Sequence, residues 1–337
     1  MSRRALVVER PGSLEVVERP ALEPGPGEVV VRPGFCGLCG TDLELLRGEV
    51  DPAFVRYPLT LGHEWSGTIE AVGPGVTELE PGLRCVAEGI IPCGRCASCR
   101  AGATNVCEVY DEVGFTREGG AGDQILVPAR VVHPLADGVP LLDAALVEPT
   151  SVVLTGLRKA RPEAGRRVLV VGDGTIGLLA ALLAGLWSPA ELALVGHRAE
   201  QEELARSLGV TAFTTGDPPG AGYDLVVEAA GAPEAVGVAV AAARRGGTVL
   251  LLGLPPTGET LVLPADLLVN NDLTLAASIG YTSSAWASVV GLLNTGQIQP
   301  GRIVTHRFRL DEFERAFAEL AEPSGPRGKV LLELGDG

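Results

Sequence analysis

The chain is poor in aromatic residues, which make up 4 % of its 337 positions. That excludes a surface on which successive bases or sugars stack on aromatic platforms. It also lacks positive charge. Lys and Arg number 27 against 42 Asp and Glu, a formal net charge of −15. A nucleic-acid backbone or an anionic membrane surface would be repelled, so neither is expected as a partner. No apolar run approaches the roughly 20 residues that span a bilayer. Near the start, the stretch ALVV (5–8) is too short for the roughly 7–15-residue core of a secretory signal, and it reads as a first β-strand. The expected location is the cytoplasm. No fixed-period repeat and no low-complexity segment occurs. What remains is a chain that is 46 % hydrophobic with a mean hydropathy of +0.26, long enough for two domains and a substantial core.

An odd count of seven cysteines disfavours a disulfide framework. Four of them, Cys93, Cys96, Cys99 and Cys107, fall in PCGRCASCRAGATNVC with spacing C-x2-C-x2-C-x7-C. Four thiolates on a glycine-containing loop can close a tetrahedral zinc site. The first three spacings also open an iron–sulfur motif, whose usual bacterial form continues x3-C-P; here the gap is seven residues and Glu108 follows. Structural zinc is the expected occupant. A closed site of this kind implies stability and not chemistry.

Residues 1–135 are rich in Pro, Gly, Val and Glu, with short alternating apolar runs such as EVVVRP, SGTIEAVG and DQILVP, the pattern of a β-rich domain with many turns. At about Leu141 the texture changes. LLDAALVEPTSVVLTGLRKA is helical in period, with Pro149 as a break or kink. Strand and helix signals then alternate: RVLVVG, IGLLAALLAGL, ELALVG, EQEELARSLG, TAFTTG, DLVVEAAG, EAVGVAVAAARRGG, TVLLLG and LTLAASIG. Such alternation predicts a doubly wound parallel sheet, giving an α/β protein with a β-rich domain beside it.

VLVVGDGTIG places Gly172, Gly174 and Gly177 as G-x-G-x-x-G between a strand and a helix, the context a dinucleotide fingerprint needs. Gly172 permits the tight turn, Gly174 the approach of a pyrophosphate, and Gly177 the packing of helix on strand. Thr175 and Ile176 open that helix. Gly231, Gly253, Leu254 and Ser278, at the ends of later strand signals, complete the candidate cofactor contacts. An NAD site usually carries Asp or Glu at the end of the second strand. Here that position is Gly196, followed by His197 and Arg198. Arg198 can pair with a 2′-phosphate through its fork of donors, so NADP is favoured and NAD is the alternative, with Glu200 or Glu202 then serving the ribose.

The stretch CGTDLE puts Cys39, Thr41, Asp42 and Glu44 beside a turn; downstream stand His63 and Glu64 in TLGHEWSG and Glu148 in LVEPT. Cys, His and Glu are all zinc ligands, and a catalytic zinc takes three from the protein. Spacing alone leaves two readings open: a shared metal, or a small buried cysteine and a core histidine.

The ordered set GLCGTDLELLRG, PLTLGHEWSGTIEAVGPGV, PCGRCASCRAGATNVC, GFTREGGAGDQILVP, LVEPTSVVL and VLVVGDGTIGL resembles the zinc-dependent medium-chain dehydrogenase/reductase family, in the branch of sorbitol, threonine, glucose and aminocyclitol dehydrogenases. The resemblance covers essentially the whole chain, including the tail HRFRLDEFERAFAEL and GKVLLEL. It implies a GroES-like catalytic domain of residues 1–149 and 282–337, with a structural zinc lobe at about 88–110, and a Rossmann nucleotide-binding domain of residues 150–281. It implies two Zn2+ per chain. Cys39, His63, Glu64 and Glu148 would hold the catalytic one, the two glutamates exchanging with water. Asp42 would orient His63, and Thr41 would bond the substrate oxygen. Cys36 and Cys85 match no ligand and read as packing. Glu44 departs from the histidine common in the family. It is either an acceptor for a polar substrate's hydroxyl or ammonium group, or a solvated residue on a short helix. Zinc's +2 is offset by Cys39 and Glu64, so Glu148 is expected near the metal only when substrate is absent. The activity implied is hydride transfer between NAD(P) and a secondary alcohol of a polyol, sugar, cyclitol or amino alcohol. A simple alcohol or aldehyde reductase, or a non-catalytic nucleotide-binding relative, is the alternative. Glu112, Phe115 and Tyr281 are candidate pocket residues, and a homodimer or homotetramer is the implied assembly.

Overall fold

The structure, a computed structural model, describes residues 2–255 and 258–335. The chain divides into two compact units: Met1–Glu148, Thr282–Ser324 and Lys329–Gly337 form the first, Pro149–Tyr281 and Gly325–Gly328 the second.

The first unit is mainly sheet. Strands β1 (Ser2–Arg10) and β2 (Ser13–Pro20) pair antiparallel across a turn at Gly12. Strand β3 (Glu28–Leu38) is its spine and runs into helix α1 (Gly40–Arg47). Pro33 has no N–H to give a ladder, and the register of β3 slips beside it, between Pro33 and Phe35. Then follow β4 (Leu59–Thr60), β5 (Glu64–Val72), β6 (Arg84–Ala87), the short helix α2 (Ala97–Arg100), β7 (Ile125–Pro128), β8 (Val132–Pro134) and α3 (Leu141–Ala144). Helix α4 (Val147–Ala160) carries the chain into the second unit.

The helical stretch predicted around Pro149 is interrupted, but not by that proline. The break lies at Ala145–Leu146, and Pro149 sits in the first turn of α4, where a missing N–H costs no intrahelical bond.

The second unit alternates β9 (Arg167–Val171), α5 (Thr175–Ala184), β10 (Glu191–Gly196), α6 (Glu202–Ser207), β11 (Ala212–Thr215), β12 (Tyr223–Glu228), α7 (Pro233–Ala242), β13 (Ala243–Leu251), α8 (Ala265–Asn270) and β14 (Thr274–Ala277). Its six strands are parallel in the order β11-β10-β9-β12-β13-β14. Strand order reverses between β9 and β12, the crevice where doubly wound sheets take ligands. The helix read over EAVGVAVAAARRGG ends early, at Ala242. The Arg244 Nε donates to Asp224 Oδ1 on β12 at 2.6 Å, which holds the arginine pair in the sheet as the start of β13.

The chain then returns to the first unit through α9 (Ser283–Asn294), β15 (Val304–Arg309), α10 (Phe313–Ala321) and β16 (Lys329–Glu333). Strand β16 pairs antiparallel with β3, setting Val330 opposite Leu38. The core of this unit gathers Leu6, Val31, Leu61, Trp65, Ile125, Phe317 and Leu332, together with Cys36 and Cys85, both fully buried. Among the described residues no helix is long and apolar enough to cross a membrane.

Candidate active site and cofactor site

Strand β3 ends where α1 begins, and Cys39 is the N-cap between them. Asp42 closes the cap: its Oδ2 accepts the Cys39 N–H at 2.8 Å. Because α1 starts there, Thr41 lies beside the thiol, with Oγ1 3.8 Å from Cys39 Sγ. Glu64 begins β5, antiparallel to β3 and opposite Gly37, and His63 stands in the bend just before it. The ligand atoms of Cys39, His63 and Glu64 lie within 4.8 Å of one another. His63 and Glu64 are buried. The sequence left these residues as scattered candidates; the fold brings them together.

The electrostatics fit a cation. Burial, the largest influence on His63, disfavours a charged ring, yet Asp42, Cys39 and Glu64 outweigh it and hold the imidazole well above its ordinary pKa. Asp42 is raised by burial, against the pull of His63 and the Cys39 N–H. Its Oδ1 stands 3.7 Å from His63 Nδ1, and both atoms are buried with no hydrogen-bond partner among the described residues. Such orphaned groups beside a thiol and a carboxylate suit a metal ligand set with its orienting carboxylate. Glu148, in the first turn of α4, is pushed up to about 8 by burial and then by the charge of Glu64. It is close enough to feel that charge but is not one of the three residues whose ligand atoms converge within 4.8 Å.

One member went unforeseen. Lys329, at the head of β16, is 1 % exposed, and its Nζ lies 2.6 Å from Glu64 Oε1 and 2.5 Å from Oε2. Burial works against its charge, but Glu64 and Cys39 raise its pKa. Nothing local in GKVLLEL marks this lysine; it is the first residue of a strand whose next three residues are buried and apolar.

Around the cluster, the Phe115 ring centroid lies 5.3 Å from that of His63. Glu112 is pushed up to about 7 by burial, partly offset by His63, and its carboxylate takes a hydrogen bond from Tyr110. Tyr281 is buried. Glu44 lies half-buried on α1.

The four remaining cysteines form a second cluster, their Sγ atoms within 4.8 Å of one another. A tetrahedral zinc with ligands at about 2.3 Å needs an edge of roughly 3.8 Å. Backbone N–H groups point at the sulfurs: Cys96 N to Cys93 Sγ, Cys99 N to Cys96 Sγ and Cys93 N to Cys107 Sγ, each 3.4 Å. Such donors, from Arg95 and Cys96, bring Cys93 down to about 6. No hydrophobic residue from 93 to 110 is buried. The lobe has no core of its own, the situation in which a structural metal supplies folding energy.

In the second unit, Gly172 has φ +120° and Gly177 packs so closely that a Cβ would meet Gly172 O at 2.0 Å. Gly174, the N-cap of α5, faces open space. That combination of a tight turn, an open backbone and a helix N-terminus fits a pyrophosphate. Thr175 Oγ1 donates to Gly328 O at 2.6 Å, so the chain itself occupies that hydroxyl. Ile176 is half-buried. Gly231 follows β12 and Gly253 follows β13; Leu254 is exposed; Ser278 follows β14, its buried Oγ without a hydrogen-bond partner among the described residues. His197 and Arg198 stand at the end of β10, and Arg198 is turned onto Asp173 in the glycine-rich loop.

Residues 25–137 match the alcohol dehydrogenase GroES-like domain and residues 143–323 the glucose dehydrogenase C-terminus. L-threonine 3-dehydrogenase of Streptomyces avermitilis is 32 % identical, the match covering 98 % of this chain and 99 % of that protein. Sorbitol dehydrogenase of Gallus gallus is 30 % identical, over 98 % and 96 %. Among solved structures, a candidate zinc-binding dehydrogenase from Sinorhizobium meliloti bound to NADP superposes with a TM-score of 0.92 at 31 % identity, covering 99 % of both chains. An alcohol dehydrogenase from Escherichia coli CFT073 complexed with NADH gives 0.91 at 26 %, again over 99 % of both. The chain belongs to the zinc-binding medium-chain dehydrogenase/reductase family, as an alcohol- or polyol-dehydrogenase-like oxidoreductase of the branch that holds the threonine and sorbitol dehydrogenases.

Proposed function

We propose that the protein is a zinc-dependent dehydrogenase that prefers NADP and acts on a secondary alcohol within a polyol, sugar, cyclitol or amino alcohol. The observation that carries the substrate class is Glu112. Its carboxyl group, half-buried and within electrostatic reach of His63 and Glu148, takes one hydrogen bond from Tyr110 and keeps acceptor capacity beyond it, which a substrate with several hydroxyl or ammonium groups would use. Zinc at Cys39, His63 and Glu64, with Glu148 in reserve, would supply a Lewis acid that makes an alcohol O–H more acidic, as it does bound water. The protein's own part is positional. Asp42 fixes Cys39 through the helix cap and faces His63. Thr41 offers a hydroxyl beside the thiolate to bond the substrate oxygen and pass on its proton. Phe115 walls the imidazole and keeps water from it. Structural zinc at Cys93, Cys96, Cys99 and Cys107 is the second metal of this reading.

The NADP preference rests on Arg198 and on Gly196, which brings no carboxylate to the strand end. Relatives bound to NADP and to NADH both occur, so the test sets the two side by side. Purified protein is assayed across sugars, polyols, cyclitols, amino alcohols and alkanols. The expected result is turnover of at least one polyhydroxy or amino-alcohol substrate, with kcat/KM for NADP at least about tenfold above NAD, the equivalent of about 1.4 kcal/mol. Turnover of short alkanols alone would overturn the substrate class.

We extend the reading to a homodimer or homotetramer. Among the described residues β14 is an edge of the parallel sheet; Leu275 on it is 41 % exposed, and Val262, Val269 and Ile279, near it in sequence, are 89, 78 and 57 % exposed. An open apolar edge invites a second copy. Light scattering should give at least twice the 34.8 kDa chain mass, and Leu275→Lys should halve it; a monomeric native protein would sink the proposal.

A further inference from the structure

The end of β10 carries no acidic residue, yet a carboxylate stands there. It comes from the glycine-rich loop. Asp173, between Gly172 and Gly174, is 2 % exposed. Its Oδ2 accepts the backbone N–H of His197 at 3.3 Å and of Arg198 at 3.1 Å. The Arg198 side chain folds back onto the same residue: Nε to Oδ2 at 3.4 Å, Nη2 to Oδ1 at 3.2 Å and Nη2 to the Asp173 carbonyl at 3.2 Å. Gln201 Nε2 donates to that carbonyl at 2.7 Å. His197 Nδ1 lies 3.2 Å from Oδ1, on a ring that is 79 % exposed. Gly196 is required by this arrangement, because a Cβ there would stand 2.7 Å from Asp173 Oδ2 and 2.8 Å from its Cβ. The space that a strand-end Asp or Glu would use in an NAD site is filled by Asp173.

The two carboxylates would act differently. One on residue 196 would present its oxygens to a ribose. Those of Asp173 are taken up by two backbone N–H groups and one edge of the Arg198 fork. The carboxylate therefore faces the arginine. It fixes the guanidinium at the strand end, and it offsets part of the positive charge that a 2′-phosphate would meet, over a distance at which a single charge matters.

We propose that Asp173 is a positioning residue for cofactor selection: the pair Asp173–Arg198, and not Arg198 alone, sets how strongly an adenosine 2′-phosphate is preferred over a 2′-hydroxyl. The proposal rests on the dinucleotide reading above, and a binding measurement separates the two. NADPH and NADH are titrated into the full-length protein, followed by nicotinamide fluorescence, so that no turnover is needed. Asp173→Asn removes the charge and keeps one oxygen acceptor for the backbone N–H groups. The ratio Kd(NADH)/Kd(NADPH) should rise about fivefold or more over the native protein. Arg198→Gln should lower it by about tenfold or more, since Asp173 then meets the 2′-phosphate uncompensated. The double variant should fall between the two singles. A ratio for Asp173→Asn that stays within twofold of native, or falls, overturns the proposal. If that variant does not fold, an Arg198→Gln ratio within twofold of native does so instead. Absence of any response to either nucleotide in the native protein would overturn the dinucleotide reading as well.

Discussion

Cys39→Ser should lower kcat by about 10³-fold or more and reduce the zinc content from two per chain to one. The first figure corresponds to roughly 4 kcal/mol of lost transition-state stabilisation, within what a Lewis-acid metal contributes. The geometry makes the variant a clean one. Cys39 caps α1 through its backbone, since the Asp42 carboxylate accepts the Cys39 N–H, so a serine leaves the cap in place. The two clusters share no residue, so the Cys93–Cys107 lobe should keep its metal and the melting temperature should move little. Cys96→Ser should do the opposite. It should release the other zinc and open the 93–110 stretch, which has no buried hydrophobic residue, to proteolysis, while leaving the Cys39 cluster intact. Metal analysis by mass spectrometry beside steady-state kinetics separates these outcomes. Retention of full turnover by Cys39→Ser would mean that the Cys39–His63–Glu64 cluster does no chemistry.

The contrast between clusters also shows what a sequence can and cannot disclose. The four clustered cysteines are legible because all their ligands fall within fifteen positions and one loop carries them. The doubly wound sheet is legible for a similar reason: strand and helix periods are local, and Gly172, Gly174 and Gly177 follow a strand directly. Pro149 misled because a proline in a helix's first turn and one in its interior look alike until the first turn is located. The arginine pair of β13 misled because Asp224, which draws Arg244 into the sheet, belongs to a different strand. Asp173 fills a variable position of G-x-G-x-x-G, which assigns it no role; only the approach of β10 shows why Gly196 has no side chain. Lys329 is the extreme case, meeting Glu64 from 265 residues away. No period or spacing reports such a contact, and a lysine at the start of an apolar strand reads as a solvated end.

Lys329 enters the charge arithmetic of the site, and a substitution there should have the second large effect. Without it, zinc, the Cys39 thiolate and Glu64 sum to zero, so Glu148 would have to stay away from the metal for acidity to be kept. With the buried ammonium counted, the same set carries +1, and the Asp42 carboxylate, fully buried and 3.7 Å from His63, brings it back to zero before Glu148 is added. The two buried charges offset each other, so the balance stays as the ligands alone give it, and Glu148 is still expected near the metal only when substrate is absent. Both partners of the Lys329–Glu64 pair are 1 % exposed. Removing one partner of such a pair strands the other, at about 3–5 kcal/mol. In protein stripped of metal at the Cys39 cluster, where Glu64 has no other cation, Lys329→Met should therefore lower the melting temperature of the unit by about 10 °C. Glu64→Gln in the same background should recover part of that loss, because the stranded charge is gone. The double variant should be more stable than the sum of the single effects by at least about 1 kcal/mol. Strictly additive losses in that cycle would show that Lys329 and Glu64 are not coupled, and Lys329 would drop out of the charge balance of the site.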